Sequence, residues 1–103
     1  LQDKVAAYLG FAQRAKKLVS GDSAAEAILN QGRARLIIIA EDASPRTRKN
    51  FCFRAGEEGI PVLVLGTKAV LGSIIGRSPR SVLVVTDQHF ADSILKVYDR
   101  NHY

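Results

Sequence analysis

"LVSGDSAAEAILNQGRARLIIIAEDASP", residues 18–45, holds two apolar runs, each followed by a turn and a helix start. Leu18, Val19 and Ser20 read as a short strand. Gly21, Asp22 and Ser23 then form a turn and N-cap, with Asp22 accepting a backbone N–H ahead of an alanine-rich helix that stops at Gly32. Residues 36–40 are β-branched and continuously apolar, as a strand covered on both faces is. "EDASP", residues 41–45, follows as a turn, with Ser44 as N-cap and Pro45 at the first helical position. A helix start exposed at residues 21–24 points unsatisfied N–H groups outward, and its dipole favours an anion there.

Outward from this stretch the same alternation continues. Residues 2–15 place Val5, Leu9, Ala12 and Tyr8 at helical spacing, an amphipathic first helix. Beyond Pro45 a helix runs to about Glu58, with Phe51, Cys52 and Ala55 on one stripe. Residues 61–65 are another buried strand, 68–75 a short helix, 82–85 a third long strand and 90–98 a closing helix. Apolar strands alternating with helices predict an α/β fold, a three-layer α/β/α sandwich with a small mixed sheet. No linker, low-complexity segment or charge block interrupts the pattern, so residues 1–103 are expected to form a single domain.

Composition excludes several classes. The chain has 103 residues, 47% hydrophobic and 24% charged, which suits one compact core and argues against disorder and against a two-domain enzyme. Residues 36–40 are far too short to cross a bilayer, and the N-terminus lacks a basic-then-apolar leader, so a cytoplasmic protein without membrane partners is expected. The single cysteine, Cys52, cannot form an internal disulfide and is expected to pack within its helix. His89 and His102 offer no zinc spacing, so neither metal nor cofactor is expected. Fifteen Lys and Arg against ten Asp and Glu give a net charge of +5, which favours a polyanionic partner. The basic residues gather at Arg14, Lys16 and Lys17, at Arg33 and Arg35, at Arg46, Arg48, Lys49 and Arg54, and at Arg77 and Arg80.

Enzymatic motifs fail. "GTKAVLGSIIG", residues 66–76, lacks the Gly-Lys-Ser/Thr ending of a phosphate loop, and its glycines are expected to serve turns and close helix packing. No Gly-x-Ser-x-Gly elbow occurs, and neither histidine has a nucleophile near it in sequence. Glu41 and Asp42 stand at a strand end, where paired carboxylates can bind magnesium; a turn in which Asp42 bonds its own backbone is the preferred reading. The chain is not expected to be an enzyme.

"AQRAKKLVSGDSAAEAILNQGRARLIIIAEDASP" followed by "GIPVLVLGTKAVLGSIIGR" resembles the ribosomal L-seven-Ae and L-thirty-e family, small proteins that bind kink-turn RNA. "GFAQRAKKLVSG", residues 10–21, is similar to the opening of the family's bacterial YlxQ-type branch. The resemblance implies a three-layer L-thirty-e-like fold and a ribosome-associated, RNA-binding role. Relatives that grip a kink-turn start this helix with Gly-Thr-Asn-Glu or an equivalent and carry a Lys one turn later, side chains that read sheared G·A pairs. Aligned without gaps, this chain offers Ser23, Ala24 and Ala27 at those positions, all truncated. The acidic residue that some relatives place just before the proline of the strand-end turn is Ser44 here; what survives is Gly21, the turn of Asp42 and Ala43, Lys68, and a basic loop "GRSPRS", residues 76–81.

A good base-edge contact contributes roughly 1–3 kcal/mol, so losing three removes about 3–9 kcal/mol if they add. Kink-turn specificity is therefore expected to be weakened or lost. Phosphate contacts from Lys17, Lys68, Arg77 and Arg80 do not depend on the truncated side chains, nor does the helix start at Asp22, Ser23 and Ala24. Two readings stay open. One is a non-catalytic, monomeric RNA-binding protein that docks on structured, ribosomal RNA, with ribosome or translation-associated proteins as further partners. The other is a protein–protein adaptor that kept the fold and lost the RNA site. Asp22 is ambiguous in the same way, because a carboxylate at a cap occupies the place a phosphate would take.

Overall fold

The computed structural model describes residues 1–100; His102 lies outside the described residues. The two apolar runs that are buried along their whole length, β2 (Leu36–Ile39) and β4 (Val82–Val85), pair antiparallel at the centre of a four-stranded sheet. Successive side chains in a strand face opposite ways, so these two strands feed two cores. Leu36, Ile38, Leu83 and Val85 face one core, and Ile37, Ile39, Val82 and Val84 face the other. Burying a side chain of this size contributes about 1.5–3 kcal/mol, enough to offset an ordering cost of about 1–2 kcal/mol per backbone residue.

Each core is closed by helices. On one side lie α1 (Asp3–Arg14), α4 (Lys68–Ile74) and α5 (Gln88–Arg100), through Val5, Leu9, Leu71 and Ile94. On the other lie α2 (Asp22–Asn30) and α3 (Pro45–Glu58), through Ile28, Leu29, Phe51 and Ala55. This is the expected three-layer α/β/α sandwich. The outer strands are β1 (Leu18–Ser20), antiparallel to β4, and β3 (Val62–Val64), parallel to β2, in the order β1-β4-β2-β3. Among the described residues no helix is long and apolar enough to cross a membrane.

Two local expectations are corrected. Cys52 is exposed, because Phe51 and Ala55 define the inward face of α3 and a step of one residue from Phe51 turns the side chain about 100° away. The closing helix starts at Gln88, two residues before Phe90, because the Asp87 carboxylate accepts from the His89 N–H at 3.0 Å and the Asp87 carbonyl accepts from the Ala91 N–H at 3.0 Å. The glycines of residues 66–76 do serve turns and packing. Gly66 and Gly76 have φ of 68° and 71°, and a Cβ on Gly72 would overlap the Ser78 carbonyl.

The topology decides where a site can form. β1, β2 and β3 all end at one edge of the sheet, where antiparallel β4 begins, and α2, α3 and α4 all start there. In open α/β sheets the crevice outside the strand ends is where ligands bind.

Candidate functional site

β1 ends at Ser20, and Gly21 turns the chain into α2 with φ 93° and ψ 155° while its N–H donates to the Val82 carbonyl at 3.1 Å. This backbone region is essentially closed to residues with a Cβ. Nothing lies within 4 Å of where that Cβ would stand, so conformation and not crowding demands glycine. Gly21 is itself the N-cap, and no side chain caps α2. The expectation for Asp22 is thereby corrected: it sits inside the first turn, and its carboxylate accepts from the Thr47 hydroxyl at 3.3 Å instead of a backbone N–H. Its charge still complements the helix dipole. Ser23 is exposed and Ala24 half-buried beside it, with Ala27 exposed one turn on.

The turn after β2 comes next along the edge. Ser44 caps α3 as expected, its Oγ accepting from the Thr47 N–H at 3.1 Å. The Ser44 hydroxyl also donates to Thr47 Oγ1 at 3.1 Å, which completes a chain Ser44 to Thr47 to Asp22 between α3 and α2. Asp42 does not bond its own backbone. Its Oδ1 accepts from the Lys68 N–H at 2.8 Å, so the carboxylate serves the first turn of α4, where Thr67 Oγ1 also accepts from the Val70 N–H at 3.2 Å. The reason is placement: Glu41 N–H donates to the Gly66 carbonyl at 2.7 Å and draws the two loops together.

Arg80 closes the edge. Its backbone N–H donates to the Lys68 carbonyl at 3.0 Å, and its Nε donates to Ser20 Oγ at 3.1 Å. Its Nη1 donates to Ser78 Oγ at 2.6 Å and to the Ser78 and Pro79 carbonyls at 3.3 Å. The guanidinium is thus held on the last residue of β1, with Nη2 making no hydrogen bond among the described residues. Residues 20–24 and 79–81 line one open groove, which holds the start of α2, the Asp22 carboxylate and this fixed guanidinium.

The structure therefore brings together Gly21, Asp22, Ser23, Ala24, Asp42, Ser44, Lys68 and Arg80. Arg77 is exposed farther along, its N–H donating to the Gly72 carbonyl at 2.8 Å near the other end of α4. Lys17 is apart from the rest: its carbonyl accepts from the Thr86 N–H at 2.9 Å, which puts it at the opposite end of β1. Thr47, Ser20 and Ser78 are the partners that sequence reasoning missed. The Ser44-x-x-Thr47 spacing carried a signal for the first, because a cap meets the residue three ahead. Ser20 and Arg80 are 60 residues apart, and no local pattern connects them. Among the described residues no group of three or more His, Cys, Asp or Glu could hold a metal ion.

The fold is shared with known proteins. The model of the family described as ribosomal protein L7Ae/L30e/S12e/Gadd45 matches residues 3–95. RNA-binding protein YlxQ of Bacillus subtilis (strain 168) is 37% identical over 91 residues, 88% of this chain and 91% of its own. A solved structure of a protein of unknown function from Bacillus halodurans superposes with a TM-score of 0.90 at 32% identity, covering 95% of this chain and 99% of that one. The Giardia lamblia 15.5kD RNA binding protein shares the fold, with a TM-score of 0.80 at 21% identity over 94% of this chain and 83% of its own. Matched over nearly its whole length, and to a family of ribosomal proteins and not of enzymes, the chain belongs to the ribosomal protein L7Ae/L30e/S12e/Gadd45 family.

Proposed function

We propose that this chain binds structured RNA without acting on it chemically, through the sheet edge where α2, α3 and α4 begin. The observation that carries the reading is the fixed Arg80 guanidinium, 3.1 Å from Ser20 Oγ, beside an α2 start that no side chain caps. Backbone N–H groups at a helix start and a positioned guanidinium are two standard ways of holding a phosphate. Lys68 and Arg77 extend the positive surface along α4. The names of the B. subtilis and G. lamblia relatives, both RNA-binding proteins, support the partner class.

Specificity is a separate matter. Ser23, Ala24 and Ala27 leave little on α2 to read base edges, so kink-turn selectivity is weakened or lost and phosphate contacts dominate. The RNA on this reading is ribosomal, bound by a monomer in the cytoplasm, with translation-associated proteins as neighbours. The truncation of the α2 residues also favours a second reading, a protein–protein adaptor that keeps the fold without the RNA site.

The test is a titration against a kink-turn RNA, the same RNA with its G·A pairs destroyed, and a plain duplex, at two salt concentrations. Comparable binding to all three, falling with salt by about 0.7–0.9 log units per log unit for each phosphate neutralised, supports the proposal. Selective binding to the intact kink-turn contradicts the loss of specificity. No binding at low salt favours the adaptor.

A further inference from the structure

The outward face of α3 is not used by the site described above. Phe51 and Ala55 turn inward, whereas Phe53 stands on the opposite side of the helix and is 65% exposed, more than any other large hydrophobic residue described. Arg46, Lys49 and Asn50 share its stripe, at the spacing that places side chains on one helical face. These residues line a depression of about 400 Å³. The side chains of Arg46 and Lys49 make no hydrogen bond or ion pair among the described residues, whereas Asn50 donates to Glu26 at 2.9 Å and Arg54 meets Asn30 at 3.0 Å and Glu58 at 3.4 Å. From Pro45 to Gly56 the helix holds Arg46, Arg48, Lys49 and Arg54 and no acidic residue.

We propose that this face is a platform for single-stranded RNA, on which a base stacks against Phe53 while Arg46 and Lys49 hold the adjoining phosphates. An exposed ring flanked by unpaired cations suits a partner that carries both flat aromatic faces and negative charge, which is the pattern of sequence-tolerant single-strand sites. A protein surface would match the ring and the arginine, which are enriched in interface cores, but not the unpaired lysine, which is depleted there. Arg46 lies in the first turn of α3, next to Ser44 at the sheet edge, and Phe53 lies seven residues farther, about 10 Å along the axis. A strand leaving the edge site therefore has a continuous path to the ring. The inference extends the RNA-binding reading to a second surface, and it is tested on a separate probe.

The experiment titrates a uridine decamer and a folded kink-turn RNA without single-stranded ends against the wild type, Phe53→Ala, Phe53→Leu and Arg80→Ala at low salt. Phe53→Ala is expected to weaken decamer binding about 5- to 100-fold, with Phe53→Leu in the same direction, and to leave the folded RNA unaffected. Arg80→Ala is expected to weaken the folded RNA, and to weaken the decamer less than Phe53→Ala does, since a strand on the ring can also reach the edge. A decamer that does not bind the wild type, or binds Phe53→Ala equally well, overturns the inference. Phe53-dependent decamer binding without any binding of the folded RNA would sustain the platform and overturn the edge site.

Discussion

Thr47 Oγ1 lies 3.3 Å from Asp22 Oδ2, and that contact joins the first turn of α3 to the first turn of α2. It begins a polar seam that continues through Asn50 to Glu26 at 2.9 Å and Arg54 to Asn30 at 3.0 Å. The two helices that cover one face of the sheet are thus held in register above their apolar contacts, and the edge that carries the candidate site keeps its shape.

Because Thr47 both accepts from Ser44 and donates to Asp22, the two alcohols act together. Ser44→Ala removes the α3 cap and is expected to cost about 1 kcal/mol. Thr47→Val removes an exposed bond on each side, also about 1 kcal/mol. The double variant should lose less than the sum, since the single changes share a bond. Urea unfolding of the four proteins measures it.

Gly21→Ala should destabilise the fold by roughly 1–3 kcal/mol, although space for the methyl group is open, because φ 93° with ψ 155° disfavours any Cβ. A loss below about 0.5 kcal/mol, the size of an ordinary surface change, would mean that the helix start relaxes without strain. Thermal melts of the variant and the wild type decide between these outcomes.

The central strand β2 was legible because Leu36, Ile37, Ile38 and Ile39 form a short, unbroken and largely β-branched apolar run, as a doubly covered strand does. Ser44 and Pro45 were legible as a helix start because capping is a local exchange between near neighbours. What was not legible is non-local. The insertion of β4 between β1 and β2 depends on pairing across the chain. Asp22 and Asp42 both read as local turn carboxylates, yet each accepts from a donor 25 or 26 residues away, Thr47 and the Lys68 N–H. Lys17 is near Gly21 in sequence, but β1 carries the two to opposite ends of the strand.

Asp42→Ala is expected to free the Lys68 N–H and fray the first turn of α4, leaving Thr67 as its remaining cap. The loss is about 1–2 kcal/mol, at the lower end for a carboxylate acceptor because the bond is exposed. Hydrogen exchange at the Lys68 amide should accelerate, while amides in β2 keep their protection.

On the RNA-binding reading, Asp22→Lys removes a negative charge from the groove and adds a positive one. Affinity should rise, and the slope of log K against log salt should steepen by about 1 for the added phosphate contact. Asp22→Asn keeps an acceptor for Thr47 and should raise affinity less. Unchanged affinity and slope in Asp22→Lys would place the RNA away from the start of α2.

The central claim, that RNA meets the edge where α2, α3 and α4 begin, is tested most directly by amide and arginine-side-chain NMR shifts during titration with a structured RNA duplex. The account predicts the largest changes at Gly21, Ser23, Ala24 and Lys68 and at the Arg80 Nε–H. Changes confined to α1 and α5, on the far side of the sheet from α2 and α3, would contradict it.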